Sequence, residues 1–172
     1  MNKLKAKSKL CSMILGGCIT LCVIPTVFVE ARNAFVISDI SDQEIINYCE
    51  EIGQIYNICP ELLEAIIEIE SSNNPNAIGD CGEIGLMQIY PKYHQDRMIR
   101  LGVDSLQDPY SNILVGADYL LELFNEYQDL PIVLMVYNGS SDAIERGKTY
   151  NLTEYAKRVI ARSHELERLH NK

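Results

Sequence analysis

The sequence predicts a mainly α-helical domain with at most a small β-hairpin. Apolar residues recur at helical spacing in several segments, and most of these segments begin at residues that favour a helix N-terminus. No stretch alternates apolar and polar residues convincingly at a period of two, which argues against a sheet. No linker or repeat divides the chain, so we expect a single domain after an N-terminal leader.

The leader is predicted over residues 1–31. Four lysines at positions 3, 5, 7 and 9 precede the uncharged run from Leu10 to Val29. This run exceeds the core of an ordinary signal peptide and reaches the length of a membrane span. Pro25 and the small residue Ala31 favour a signal peptide cleaved after Ala31, with an uncleaved N-terminal membrane anchor and lipoprotein processing at Cys18 as alternatives. Each predicts that residues 32–172 are exported and that any membrane attachment runs through the leader.

Two helices are predicted to follow. Ser41 and Glu44 form a capping box for a helix that extends to about Tyr56. Its buried stripe is expected to contain Ile45, Ile46, Ile52 and Ile55. Pro60 suits the first turn of the second helix, which we expect to end at residue 70 or 71.

The middle of the chain is predicted to be less regular. Residues 71–82 are rich in Asn, Pro, Gly and Asp, which indicates a loop that has room for the small hairpin. A short helix is expected around Leu86 to Ile89, before Pro91. A longer one is expected from about Lys92 to Leu101, because Gly102 is a typical helix stop.

Three further helices complete the prediction. Asp108 and Pro109 begin a long helix that reaches about Tyr127. Its core-facing residues are expected to be Ile113, Ala117, Leu120, Leu121 and Phe124. A short apolar helix is predicted over residues 131–137, and Thr153 caps a last helix that carries Tyr155, Val159, Ile160 and Leu166.

Charge and cysteine content restrict the function classes. The formal charge is −9, and removal of residues 1–31 would take it to −12 because four lysines and one glutamate leave. An acidic chain is a poor partner for nucleic acid, which needs clustered Lys and Arg. Cys49, Cys59 and Cys81 allow one disulfide with three possible pairings, or three reduced thiols. No Cys or His spacing suggests zinc, so we expect neither a metal nor a cofactor.

Glu70 is the first candidate for chemistry. It lies three residues after Ile67, four after Ile66 and seven after Leu63, which places a carboxyl on the apolar stripe of a helix. Partial burial disfavours the charged form of a carboxyl and raises its pKa toward a range useful for donating a proton. Glu70 is therefore predicted to be a general acid.

Four ordered motifs place Glu70 in a wider pattern. They are Glu70-Ser71, Gly85-Leu86-Met87-Gln88, Tyr137-Asn138 and a lone Tyr155 in the last helix. Further matching residues lie between the second and third motifs: Asp108-Pro109, Asn112, Gly116, Tyr119 and Leu120. Over roughly residues 58–162 this set resembles the lytic transglycosylases of the SLT type, in the lysozyme-like superfamily. The resemblance implies that residues 32–172 form a lysozyme-like helical domain with a cleft, and that peptidoglycan glycan strands are its substrate.

The resemblance also implies the chemistry. Glu70 would protonate the β-1,4 glycosidic oxygen between N-acetylmuramic acid (MurNAc) and N-acetylglucosamine (GlcNAc), then deprotonate the muramic 6-hydroxyl, which leaves a 1,6-anhydro product. The resemblance gives the other motif residues supporting roles: Tyr137 holds the Glu70 carboxyl, and Tyr155 of the last helix reaches the same carboxyl or the sugar. The remaining cleft and substrate contacts come from Ser71, Met87, Gln88 and Asn138. Val136, and Gly139 with Ser140, depart from the family pattern without touching a proton-transfer group.

Two alternatives stay open at this point. Goose-type lysozymes share the Glu-Ser and Gly-Leu-Met-Gln elements and use an aspartate of the intervening loop to activate water, so Asp80 or Glu83 would make the protein a hydrolytic muramidase. Asp80 lies nearer the glycine than their aspartate, which favours the transglycosylase. The other alternative is an inactive wall-binding scaffold, although Glu70 and Tyr137 are retained. Resemblance to small family members suggests a secretion or conjugation machine as a partner.

Overall fold

The computed structural model describes residues 40–140 and 151–170, and these residues form six α-helices. The helices are α1 (Asp42–Tyr56), α2 (Pro60–Ser71), α3 (Pro91–Leu101), α4 (Pro109–Tyr127), α5 (Leu130–Tyr137) and α6 (Glu154–Leu169). The predicted leader lies outside the described residues. Within the described part of the chain, no helix is long and apolar enough to cross a membrane.

Local signals account for where most helices begin. Ser41 forms the predicted capping box with Glu44 at the start of α1. Asp108, Asp129 and Thr153 cap α4, α5 and α6, each by accepting a hydrogen bond from a backbone N–H of the first turn. Proline occupies the first turn of α2, α3 and α4, where its missing N–H costs nothing. The helices predicted from these signals are confirmed.

Helix α2 is the centre of the core. It packs against α1 on one side and α6 on the other, while α4 contacts α1 and α5. Leu63, Ile66 and Ile67 of α2 are fully buried. This position follows from the sequence of α2, which is apolar around most of its circumference. The C-terminal end of α2, where Glu70 lies, therefore directly follows a buried stretch of the helix.

The buried face of α1 differs from the prediction at two residues. Ile45 and Ile52 are buried, but Ile46 is only half-buried and Ile55 is 46% exposed. Cys49 and Gly53 complete the buried face instead. A Cβ on Gly53 would lie 2.7 Å from the carbonyl oxygen of Ile58, so the turn into α2 passes too close for a side chain.

Residues 85–88 form a turn, so the predicted short helix around Leu86 to Ile89 is wrong. Ile84 and Ile89 pair in antiparallel fashion across this turn, with N–H···O distances of 2.9 and 3.0 Å in the two directions. Gly85 and Gln88 both have positive φ, at 79° and 48°, which a helix does not allow. Ile78 also pairs with Ile84. These bridges take the place of the expected hairpin, and the described residues contain no longer strand.

Asn112 of α4 fastens this turn to the core. Its fully buried amide donates to the carbonyl oxygens of Ile84 at 2.7 Å and Leu106 at 2.9 Å, and its oxygen accepts from the N–H of Met87 at 2.8 Å. A Cβ on Gly85 would lie 2.3 Å from the Asn112 amide nitrogen. A glycine at 85 therefore meets two needs, the positive φ and the close approach of Asn112.

Candidate active site

A cleft of about 840 Å³ opens at the C-terminal end of α2. Each neighbouring element contributes to its wall: Glu70 comes from α2, Glu83 and Gln88 from the loop and turn, Tyr93, His94 and Arg97 from α3, Tyr119 and Glu122 from α4, and Tyr137, Asn138 and Gly139 from the end of α5. The cleft thus combines one carboxyl at the end of a buried helix with aromatic rings and a second group of charged side chains.

The Glu70 carboxyl is held by Tyr155 of α6. The phenolic hydroxyl of Tyr155 donates to Oε1 of Glu70 at 2.6 Å. Burial raises the pKa of Glu70 above its ordinary value, the hydrogen bond from Tyr155 lowers it, and the nearby charge of Glu83 raises it. The balance is a raised pKa, as predicted from the apolar stripe. Tyr155 therefore fixes the orientation of the carboxyl through one of its two oxygens.

Tyr137 does not hold Glu70 as predicted. Its hydroxyl donates to the backbone carbonyl of Met87 at 2.9 Å. A phenol has one proton to donate, so Tyr137 fastens α5 to the turn at residues 85–88 while Tyr155 orients the acid. Tyr137 still lies close to Glu70, since burial and the charge of Glu70 both raise the pKa of the Tyr137 hydroxyl. Of the two tyrosines expected near the carboxyl, Tyr155 donates a hydrogen bond to it, whereas Tyr137 donates to the Met87 carbonyl oxygen.

Met87 does not form the cleft wall that the motif suggests. Its side chain is fully buried and packs on Gly116 of α4, where a Cβ would lie 2.4 Å from the Met87 sulfur. Only its backbone serves the site, by donating to Asn112 and accepting from Tyr137. The small residue at 116 makes room for methionine, so the two positions form one packing unit.

The other predicted binding residues take three different positions. Gln88 is half-buried and borders the cleft, and its amide donates to the carbonyl oxygen of Gly85 at 2.8 Å, which braces the turn. Asn138 is exposed at the cleft rim. The hydroxyl of Ser71 donates to the carbonyl oxygen of Ile67 at 3.0 Å, one helical turn earlier. A direct contact of any of them with substrate stays a prediction.

The two acidic residues of the loop before Gly85 differ in position. Asp80 is exposed, whereas Glu83 is half-buried and borders the cleft. Oε2 of Glu83 accepts from the backbone N–H of Cys81 at 3.1 Å. Of the two carboxyls named for the hydrolytic alternative, Glu83 is therefore the one placed to meet a bound sugar.

Sequence reasoning missed a buried polar cluster between α3 and α4. Arg97 donates through Nε to Asp118 at 2.7 Å and also to Glu122, and its Nη1 atom lies 2.5 Å from Nδ1 of His94. The Tyr119 ring packs against both His94 and Arg97. Burial, then the Arg97 charge, lower the pKa of His94 to about 4, so the ring is neutral at neutral pH. The spacing of these residues could have indicated the cluster: His94 and Arg97 are three residues apart on one helix, and Asp118 and Glu122 are four apart on the next.

The three cysteines of the described residues are free thiols, with Cys49 buried and Cys59 and Cys81 exposed. Burial raises the pKa of Cys49 far above its ordinary value, and the charge of Glu64 adds to the effect. No group of three or more His, Cys, Asp or Glu side chains in residues 40–140 and 151–170 could hold a metal ion.

The chain is similar to proteins of known family. It is 35% identical over 92 residues to a transglycosylase of Enterobacteria phage PRD1, covering 54% of this chain and 33% of that protein. It is 39% identical over 83 residues to an endo-type membrane-bound lytic murein transglycosylase A of Klebsiella pneumoniae, covering 44% of this chain and 41% of the relative. The chain thus spans about a third to two fifths of the length of these relatives.

The fold also matches a solved structure. An inactive mutant of the lytic transglycosylase Slt from Pseudomonas aeruginosa superposes with a TM-score of 0.63 and 18% identity, over 73% of this chain and 24% of that one. This confirms the predicted lysozyme-like helical fold. The transglycosylase SLT domain matches residues 47–160, which include Glu70, the turn at residues 85–88, Tyr137 and Tyr155. Because this match extends over more than half of the sequence, the chain belongs to the transglycosylase SLT domain family.

Proposed function

We propose that the protein is a peptidoglycan lytic transglycosylase with Glu70 as its single acid and base. The observation that carries the proposal is the Glu70 carboxyl itself, which borders the cleft, has a raised pKa and is held at Oε1 by Tyr155. A general acid must be protonated before the reaction and correctly oriented during it. Burial supports the first requirement here, and Tyr155 supports the second.

The reaction follows from one carboxyl acting twice. Glu70 gives its proton to the oxygen between MurNAc and GlcNAc as the bond from that oxygen to the MurNAc anomeric carbon breaks. The resulting Glu70 carboxylate then takes the proton of the muramic 6-hydroxyl while that oxygen bonds to the same carbon. The products are a GlcNAc hydroxyl and a 1,6-anhydro-MurNAc end, and Glu70 regains its proton. The 2-acetamido group of MurNAc would support the oxocarbenium-like anomeric carbon between the two steps, and no water is consumed, so no second catalytic carboxyl is required.

Mass spectrometry of digested peptidoglycan tests this proposal directly. We expect anhydro muropeptides, each lighter by one water than its hydrolysed counterpart, from the wild type and none from Glu70→Gln. The amide fills the volume of the carboxyl but cannot donate the proton, so Glu70→Gln should keep the wild-type circular dichroism spectrum. Asp80→Asn is the matched control, because it removes an exposed carboxylate from the neighbouring loop. Cleavage by Glu70→Gln within about tenfold of wild type, only ~1.4 kcal/mol of barrier, would remove Glu70 from the role of acid.

A second candidate function is that of a hydrolytic muramidase, which the position of Glu83 in the same cleft supports. In that reaction Glu83 would activate a water on the face of the sugar opposite Glu70, at the ~6.5–9.5 Å separation of an inverting pair. Predominantly reducing muropeptides, together with complete loss of cleavage in Glu83→Gln, would select this candidate over the transglycosylase.

The proposal places the enzyme at the cell envelope. The Lys-rich, apolar leader predicts export, and the Klebsiella pneumoniae relative is named membrane-bound. Peptidoglycan is the substrate at that location, and local opening of the wall for a secretion or conjugation machine is the process we propose for it. Fractionation of cells that produce the full chain, with detection in the envelope or medium, tests the location.

A further inference from the structure

The loop before Gly85 fixes Glu83 through both its backbone and its side chain. The carbonyl oxygen of Glu83 accepts from the N–H of Gly79 at 2.9 Å, and Oε2 accepts from the N–H of Cys81 at 3.1 Å. Within the same loop, Gly82 donates to the carbonyl oxygen of Gly79 at 3.1 Å. Glu83 is half-buried and is held by one hydrogen bond to its backbone and one to its carboxylate, in contrast to the exposed Asp80 three residues earlier.

Gly79 provides the space for this carboxyl. A Cβ at position 79 would lie 2.3 Å from Oε2 of Glu83 and 2.8 Å from Oε1 of Gln88. Gly79 is not among the residues with positive φ, so its backbone conformation does not demand glycine. The missing side chain therefore serves the position of Glu83, and any larger residue at 79 would push the carboxyl away.

Three polar groups act on Glu70 from the elements around it. Tyr155 of α6 donates a hydrogen bond to it, Tyr137 of α5 lies close to it, and Glu83 of the loop acts on it through its charge. Among the described residues that line the cleft, Arg97 of α3 is the cation, and Asp118 and Glu122 of α4 already balance its charge.

We propose that Glu83 is a positioning residue, held by Gly79 and Cys81 in the cleft that Glu70 also borders, and that its negative charge helps to keep Glu70 protonated. The inference rests on the proposed role of Glu70 as the acid. Two nearby carboxyls resist ionising together, so the first to lose its proton makes the second hold its own more tightly. Glu83 accepts no proton from the substrate and forms no bond to it. Its effect is to extend the pH range over which Glu70 can donate.

A titration that does not depend on catalysis tests this assignment. In ¹³C-carboxyl-labelled protein, the Glu70 resonance is the one that disappears in Glu70→Gln. We expect its titration midpoint to fall in Glu83→Gln, which keeps the volume of the side chain and can still accept from Cys81 but carries no charge. Asp80→Asn removes the same charge from an exposed position of the same loop, so its midpoint should stay close to that of wild type.

Gly79→Ala provides a second variant that leaves the charge of Glu83 in place. Displacement of the carboxyl by the new methyl group should lower the Glu70 midpoint in the same direction as Glu83→Gln. In activity assays, the alkaline limb of the kcat/KM profile should move to lower pH in both variants, while the anhydro product is unchanged. A merely structural role for Glu83 would lower activity evenly across pH.

The outcomes separate this inference from the proposed function. An unchanged Glu70 midpoint in Glu83→Gln, or an equal fall in Asp80→Asn, overturns the inference even if the protein forms anhydro product. A fall confined to Glu83→Gln and Gly79→Ala supports it even if the wild type proves to hydrolyse its substrate, because the midpoint reports the proton on Glu70 and not the attacking group.

Discussion

Tyr155→Phe removes the hydroxyl that lies 2.6 Å from Oε1 of Glu70. A hydrogen bond to a charged group is worth ~1.5–3 kcal/mol, which corresponds to roughly tenfold to a hundredfold in rate. We expect a loss of this size in kcat, because the bond orients the acid and stabilises the carboxylate left after proton donation. The bond also holds the pKa of Glu70 below the level that burial alone would give. Its loss should therefore raise that pKa and move the alkaline limb of kcat/KM to higher pH.

The assay is the release of soluble muropeptides from purified peptidoglycan, measured from pH 4 to pH 9 at several substrate concentrations. Tyr137→Phe is the matched control, since it removes a phenolic hydroxyl from the same region but leaves the Glu70 hydrogen bond in place. Tyr137→Phe instead leaves the buried Met87 carbonyl oxygen without this hydrogen bond. We therefore expect a loss of ~1–3 kcal/mol in the free energy of unfolding and a smaller fall of kcat than in Tyr155→Phe. A larger fall of kcat in Tyr137→Phe than in Tyr155→Phe, or an alkaline limb that moves to lower pH in Tyr155→Phe, would refute the assignment.

Three further predictions concern stability. Glu70 has a raised pKa in the folded state, so its contribution to stability is present at low pH and is lost as pH rises through that pKa. Glu70→Gln should therefore raise the melting temperature more at pH 8 than at pH 4, and an equal change at both would contradict this. Asn112→Leu breaks three buried hydrogen bonds to backbone groups and should lower the free energy of unfolding, measured in urea, by more than ~3 kcal/mol. In Gly85→Ala the new Cβ meets both a positive φ and a clash with Asn112, so we expect a loss of at least ~2 kcal/mol in the free energy of unfolding. The loss should be clearly smaller in Gly102→Ala, where φ is also positive but the new Cβ would point into open space.

Local signals explain which helices the sequence could predict. The capping box at Ser41 and Glu44, Pro60, the cap at Asp108 and the cap at Thr153 act within one helical turn, so they can be read without knowledge of the tertiary structure. The run from Leu86 to Ile89 lacks such signals. A short apolar segment fits a helix or an extended turn equally well, and Asn112, 25 residues from Met87, decides between them.

The sequence predicted which residues surround the site better than it predicted the contacts between them. The helical period places Glu70 on an apolar stripe, and its raised pKa is confirmed. Which of the two tyrosines bonds to the carboxyl depends on how α6 packs against α2 and how α5 packs against α4 and α6, and nothing in the spacing of Tyr137 and Tyr155 specifies that packing. Met87 is buried for a similar reason, because the space above Gly116 is created by α4. The product, the export of the chain and the substrate contacts stay predictions.

The hydrogen bond between Glu70 and Tyr155 joins residues 85 positions apart, from the second helix and the last. During synthesis or threading from the N-terminus, α2 is therefore complete long before α6 arrives, and the acid lacks its orienting partner until the final helix docks. Local opening of α6 in the finished protein would have the same effect while leaving α1 and α4 packed. The Glu70 carboxyl thus acquires its hydrogen bond from Tyr155 only after α6 has docked, and that bond depends on α6 staying in place.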